Sequence, residues 1–136
     1  MDEETTFETW RANAPNWLCK TPLWAGVHYQ KAMYLYDLAW RDCEILNRDV
    51  RGREVARQLI RSVGGISANL EEAFGRGVRS ADARRITRIA LGEAREARGW
   101  YARSRHLLPE KVVEHRIALL DEIIRLLVML IRRPVS

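Results

Sequence analysis

Only four prolines interrupt this chain, at positions 15, 22, 109 and 134. A proline lacks the backbone donor that a helix interior needs, so its placement marks where long helices can run. Here it leaves residues 23–108 and 110–133 uninterrupted. Nearly every segment in these stretches repeats its apolar residues with a helical period, and none alternates as a half-buried strand does. A chain of 136 residues suits one domain with one real core. The pattern therefore predicts an all-α fold, an up-down-up-down antiparallel four-helix bundle over residues 23–133. An acidic extension over residues 1–22 carries Trp10, Trp17 and Pro15, and its path is not predictable.

The first helix is expected from Leu23 to Arg48, after Thr21 as cap and Pro22 near its first turn. Ala32, Leu35, Ala39, Cys43 and Leu46 form one stripe, and Val27, Tyr34, Leu38 and Ile45 a second. Asp37–Arg41 and Glu44–Arg48 are spaced as favourable pairs on successive turns. A turn over Asp49–Arg53 centres on Gly52, and the second helix runs from Glu54 to Phe74. Its core stripe is Val55, Leu59, Val63, Ile66, Leu70 and Phe74. The opposite face carries Gly64, Gly65 and Ala68, small residues that suit a close helix contact. Gly75 to Gly77 end this helix. Ser80 caps the third, and Asp82 in its first turn suits the helix dipole. That helix reaches His106, with Ile86, Ala90, Ala97, Trp100 and Tyr101 facing inward. Pro109 starts the fourth, which ends near Arg132. Its two stripes are Val113, Ile117, Leu120, Ile124, Leu127 and Ile131, and Val112, Leu119, Ile123, Leu126 and Leu130. The double stripes of the first and fourth helices allow either a fatter single core or a second interface for self-association. The second is favoured, because long exposed apolar stripes mark contacts.

Charge is unevenly spread. Of 23 basic residues 20 are Arg, and residues 51–105 carry a balance of +7 against a net +5 for the whole chain. On the third helix Arg84, Arg88, Arg95, Arg98 and Arg105 fall within about 100° of one another. Arg84 and Arg88 are a like-charge pair one turn apart, which is unfavourable in isolation, and Arg57 and Arg61 repeat the pattern. These seven are the candidate nucleic-acid-binding residues, since a guanidinium grips phosphate bidentately. Two bland readings stand beside this one. Arginine richness can reflect genomic composition, and the side chains can simply be solvated or paired with acids of a neighbouring subunit. Glu93 lies in the middle of the third helix's inner stripe, with Asn69 or Ser62 as its expected hydrogen-bond partner.

Signatures of enzymes fail. His28, His106 and His115 lack the Glu-x-x-His context of a di-iron bundle. No phosphate-binding glycine loop and no Gly-x-Ser-x-Gly elbow occurs. The chain is therefore expected to be no enzyme, with no cofactor and no metal. Cys19 and Cys43 form no metal or redox spacing, no segment is apolar enough to span a membrane, and the Met-Asp-Glu-Glu start is wrong for a signal peptide. A cytoplasmic protein with free thiols is expected.

The stretch from Gln58 to Arg76, Gln-Leu-Ile-Arg-Ser-Val-Gly-Gly-Ile-Ser-Ala-Asn-Leu-Glu-Glu-Ala-Phe-Gly-Arg, resembles the signature of the 23S rRNA intervening-sequence protein family of four-helix bundle proteins. Arg61, Ile66, Asn69, Glu72, Gly75, Arg76, Ile89, Ala90, Gly92 and Glu96 match its pattern, and Tyr29-Gln-Lys-Ala32 resembles the start of its first helix. Ala73 stands at a usual Gly, Glu71 at a usual Ala and Glu93 at a common Ser. The resemblance covers residues 23–133. It implies a homopentamer without catalytic activity. A related branch, the accessory variability determinant of diversity-generating retroelements, is a basic pentamer that binds nucleic acid and a reverse transcriptase. The expected partners are thus further copies of the chain and RNA or DNA backbone. Alternatively, the chain is a protein-interaction module, such as an accessory subunit of a reverse transcriptase, without nucleic-acid contact.

Overall fold

A computed structural model describes residues 5–135. The Met-Asp-Glu-Glu start of the acidic extension lies outside the described residues. All regular secondary structure among the described residues is helical. Two short helices, α1 (Phe7–Ala12) and α2 (Asn16–Cys19), and a 3-10 turn at Pro22–Ala25 come first. Then follow α3 (Val27–Leu46), α4 (Val50–Gly75), α5 (Ala81–Arg103), a 3-10 turn at Ser104–His106, and α6 (Glu110–Ile131).

The helix ends follow from local chemistry. Ser80 Oγ accepts from the Ala83 amide at 3.0 Å, with Asp82 in the first turn, as expected for α5. Pro109 precedes α6 with extended backbone. Three boundaries differ from expectation. The first long helix begins at Val27, because Gly26 (φ −85°, ψ 120°) leaves helical geometry and separates it from the turn at Pro22. Thr21 precedes that turn without a side-chain capping bond. The third helix ends at Arg103, so Arg105 sits on the 3-10 turn that follows it.

The third difference concerns Gly52. The second long helix starts four residues earlier than expected, at Val50, because the Asp49 carboxylate caps it. Asp49 Oδ1 accepts from the Arg51 and Gly52 amides at 2.8 and 3.0 Å. Gly52 is therefore a buried helical residue and not the centre of a turn. A Cβ there would sit 2.1 Å from the Leu46 carbonyl oxygen and 2.7 Å from Leu107 Cδ1. The glycine lets the start of α4 cross the end of α3 at backbone contact.

Side-chain contacts give the helix directions. Tyr29 near the start of α3 donates to Glu71 near the end of α4, at 2.7 Å. Arg76 at the end of α4 bonds Asp82 at the start of α5, and Arg84 early in α5 donates to the Arg133 carbonyl just past the end of α6. Neighbouring long helices thus run oppositely. The core between them holds Leu35, Leu46, Leu59, Val63, Ile66, Leu120, Ile123 and Leu127, all fully buried. Ala90, Ala94 and Ala97 are also fully buried and give α5 a thin face toward it.

One polar cluster lies inside this core. The buried Asp42 carboxylate accepts from Tyr101 Oη at 2.7 Å and from Arg116 Nε and Nη2 at 2.8 and 3.0 Å. A buried charge needs a paired, hydrogen-bonded partner, and here two supply three bonds.

The extension packs rather than trailing. Phe7 and Trp10 each sit 5.5 Å, centroid to centroid, from the Tyr34 ring, and Trp10 lies 5.8 Å from Trp24. Trp10 Nε1 donates to Asp37 at 2.7 Å. Asp37 is thereby engaged, and the expected Asp37–Arg41 and Glu44–Arg48 pairs do not form. Tyr34 and Leu38 of the second stripe are buried, as are Leu119 and Ile123 of α6. The first helix's stripes are thus largely covered within one chain, Tyr34 by the extension, whereas Val112, Val113, Ile117, Ile124, Leu126, Leu130 and Ile131 of α6 stay half-buried. Two stripe positions differ, since Phe74 and Val27 are exposed.

Replacing Gly52 by Ala is expected to destabilise the protein by about 1–3 kcal/mol through overpacking, although Ala favours a helix by about 1 kcal/mol. Gly92, mid-helix on α5, would place a Cβ in open space. Its replacement by Ala should stabilise by about 0.5–1 kcal/mol. Urea unfolding of both variants checks the opposite signs.

Candidate nucleic-acid interface

The seven arginines singled out from the sequence differ in their partners within the chain. Three are occupied by acids. Arg98 Nε donates to Asp121 Oδ1 at 2.7 Å, tying α5 to α6. Arg61 is bonded to Glu96 and lies 3.8 Å from Glu93, tying α4 to α5. Arg57 lies 3.8 Å from Glu54 on its own helix. Arg84 Nη2 donates to the Arg133 carbonyl, and Arg105 Nη1 to the Ala102 carbonyl at 3.0 Å. Arg88 and Arg95 remain. Both are exposed on α5, seven positions apart, and neither has a carboxylate or carbonyl partner among the described residues.

Between them lies Gly92, exposed, with no atom within 4 Å of where its Cβ would stand. A helical glycine costs stability, and nothing in this chain takes up the room. The result is a bare strip of backbone flanked by two unpaired guanidiniums. Ile89, 46 % exposed, borders the strip.

Glu93 departs from its expected role. Asn69 Nδ2 donates to the Gly65 carbonyl at 2.7 Å, and Ser62 Oγ to the Leu59 carbonyl at 3.1 Å. Each thus satisfies its own helix and neither reaches Glu93. The Glu93 carboxyl lies over Gly65 of α4, where a Cβ would come within 2.2 Å of its Oε2. Its pKa is raised by burial and by the neighbouring Glu96, with Arg61 opposing.

The motif residues join the two middle helices. Arg61 and Glu96 clasp α4 to α5, with Trp100 Nε1 donating to Glu96 at 3.3 Å. Where α4 ends, Arg76 bonds Glu72 at 2.7 Å and Asp82 at 3.0 Å, and Arg85 bonds Asp82 at 2.9 Å. The hydrogen bond from Arg85, with the Arg76 guanidinium beside it, holds the Asp82 carboxyl below the usual carboxylate range. Ile66 is buried in the core. Gly75 and Gly92 are the two motif positions whose Cβ would meet nothing.

No group of three or more His, Cys, Asp or Glu among the described residues could hold a metal ion. Among the same residues no helix is long and apolar enough to cross a membrane. Cys19 is exposed and Cys43 buried, and burial pushes the Cys43 thiol up to about 11. Sequence reasoning missed Asp42, Tyr101 and Arg116 as a group, and missed the exposed Trp40 beside Tyr36, their rings 6.4 Å apart. Its period did place Asp42 between Ala39 and Cys43, which was the available signal.

Residues 27–129 match a family model described as 23S rRNA-intervening sequence protein. No curated protein and no solved structure matches the chain.

His28 and His115 titrate below the ordinary histidine value, first through burial and then through Arg133 and Arg116 respectively. Arg116 Nη1 lies 2.7 Å from His115 Nδ1, which accepts from it only when unprotonated. The unfolded chain therefore binds more protons near its histidine pKa of about 6.5, and stability falls as pH drops through that value. Urea midpoints measured at about pH 7.5 and about pH 5.5 should show the loss. A variant carrying His28→Gln and His115→Gln should show less of it.

Proposed function

The chain belongs to the 23S rRNA-intervening sequence protein family, and we propose that it is a non-enzymatic helical scaffold that binds the phosphate backbone of RNA. The observation that carries this reading is the strip on α5. Arg88 and Arg95 lack acidic partners, and Gly92 between them lets a phosphate chain approach the helix closely. Guanidinium groups suit such contacts, which depend on charge and are indifferent to base sequence. The other five candidate arginines have structural or local partners and contribute less. RNA is favoured over DNA by the family description alone.

Two such arginines make a weak site. Repetition overcomes this, because linked sites raise avidity without new contacts. We accordingly propose that the four long helices form an up-down-up-down protomer of a homopentamer, as the family resemblance implies, so that five α5 strips act together. The exposed Ile89 beside the strip favours a second reading, in which α5 docks on a protein partner such as a reverse transcriptase.

Fluorescence anisotropy with a labelled single-stranded RNA tests the first reading. Binding should weaken strongly between about 50 and about 200 mM salt. Arg88→Glu with Arg95→Glu should weaken it at least about tenfold and lower the salt slope by about 1.4 for each strip that the RNA engages. Arg98→Gln should change it little. No binding by the wild-type chain at low salt would leave the protein-partner reading. Unchanged binding by the double variant would move the site off α5.

A further inference from the structure

A cavity of about 530 Å³ opens where the end of α4, the start of α5 and the end of α6 meet the turn before α3. That volume is within the range of small-molecule sites. Its walls are apolar, with Leu70, Phe74, Val78, Leu126 and Met129 among them. Phe74, Val78 and Met129 are also exposed, so apolar surface faces an open mouth.

The charge on this cavity is of one sign. Arg79, Arg84 and Arg133 line it, and no Asp or Glu does. The neighbouring Arg76 and Arg85 are engaged by Glu72 and Asp82, so the local acids serve the clasp and leave the cavity cationic. Arg84 reaches the Arg133 carbonyl across the gap between α5 and α6, which brings the two residues together without an acid between them. Arg133 in turn lies near enough to His28 to lower its pKa. Arg79 holds φ at +66°, in the left-handed region that non-glycine residues rarely adopt, and it forms no ion pair. Strain of this kind, next to a cavity, is a feature that functional sites often carry.

We propose that this cavity binds an amphipathic carboxylate, its apolar chain against Phe74, Leu126 and Met129 and its head group on Arg79 and Arg84. The carboxylate supplies the acid that the cavity lacks, and a guanidinium accepts it bidentately. The apolar walls supply the remaining affinity by removing hydrocarbon from water. The site is separate from the α5 strip and does not depend on RNA binding. It also gives Arg84 a different role from the phosphate contact expected from the sequence.

Isothermal titration of the full chain with dodecanoate, below its micelle concentration, tests the proposal. Saturable binding with one ligand per chain is expected. Arg79→Gln with Arg84→Gln should weaken it at least about tenfold, the loss expected for charged hydrogen bonds. Dodecanol, with the same chain and no charge, should bind at least about tenfold more weakly. Met129→Trp, at an exposed wall position that need not disturb folding, should block the cavity and weaken binding. Arg88→Glu with Arg95→Glu should leave dodecanoate affinity unchanged. Absence of saturable binding by the wild-type chain would overturn the proposal. So would equal affinity for acid and alcohol, or binding unaffected by both the arginine and Met129 variants.

Discussion

The Asp42 carboxylate holds three helices in one register. It sits on α3, its hydroxyl donor Tyr101 on α5 and its guanidinium donor Arg116 on α6. Burial raises the Tyr101 pKa, so the phenol stays protonated and donates. Any slip of one helix along another would leave a charge buried without partners, at a cost of about 3–5 kcal/mol. Leucine-rich contacts tolerate such slips far better, because apolar packing has no direction. The cluster therefore contributes specificity, and the apolar core around it contributes the bulk of the stability.

The remaining long helix, α4, is fixed by different means. It crosses α3 at Gly52 and is clasped to α5 near its middle by Arg61–Glu96 and at its end by Glu72–Arg76–Asp82. These ion pairs are partly exposed and individually weak. Their effect is to set which way α5 turns. With Ala90, Ala94 and Ala97 facing the core, Arg88, Gly92 and Arg95 necessarily face away from it. The family motif is thus mostly a description of how two helices are joined. The strip on α5 is the part of it that this joining does not explain.

The long helices were legible because a helical period survives over many residues, and because Ser80, Asp82 and Pro109 act through local chemistry alone. Gly52 was not, since a glycine between polar residues signals a turn unless the backbone it approaches is known. Asp42 fell within an apolar stripe, but one position in a period cannot name partners 59 and 74 residues away. The arginine surplus was legible, and the partners of its members were not. Sequence shows where charges lie along a helix, whereas the acids of other helices decide which of them are engaged. Arg61 and Arg98 carry their acids on a neighbouring helix, and Arg88 and Arg95 carry none.

A double-mutant cycle on Asp42→Ala and Arg116→Ala, read by urea unfolding, tests the central constraint most directly. If the carboxylate and guanidinium stabilise each other in a shared buried site, the two losses should fall short of additivity by about 2 kcal/mol or more. Losses that add within about 0.5 kcal/mol would mean that the two groups act independently. In that case the buried cluster does not set the register of these helices.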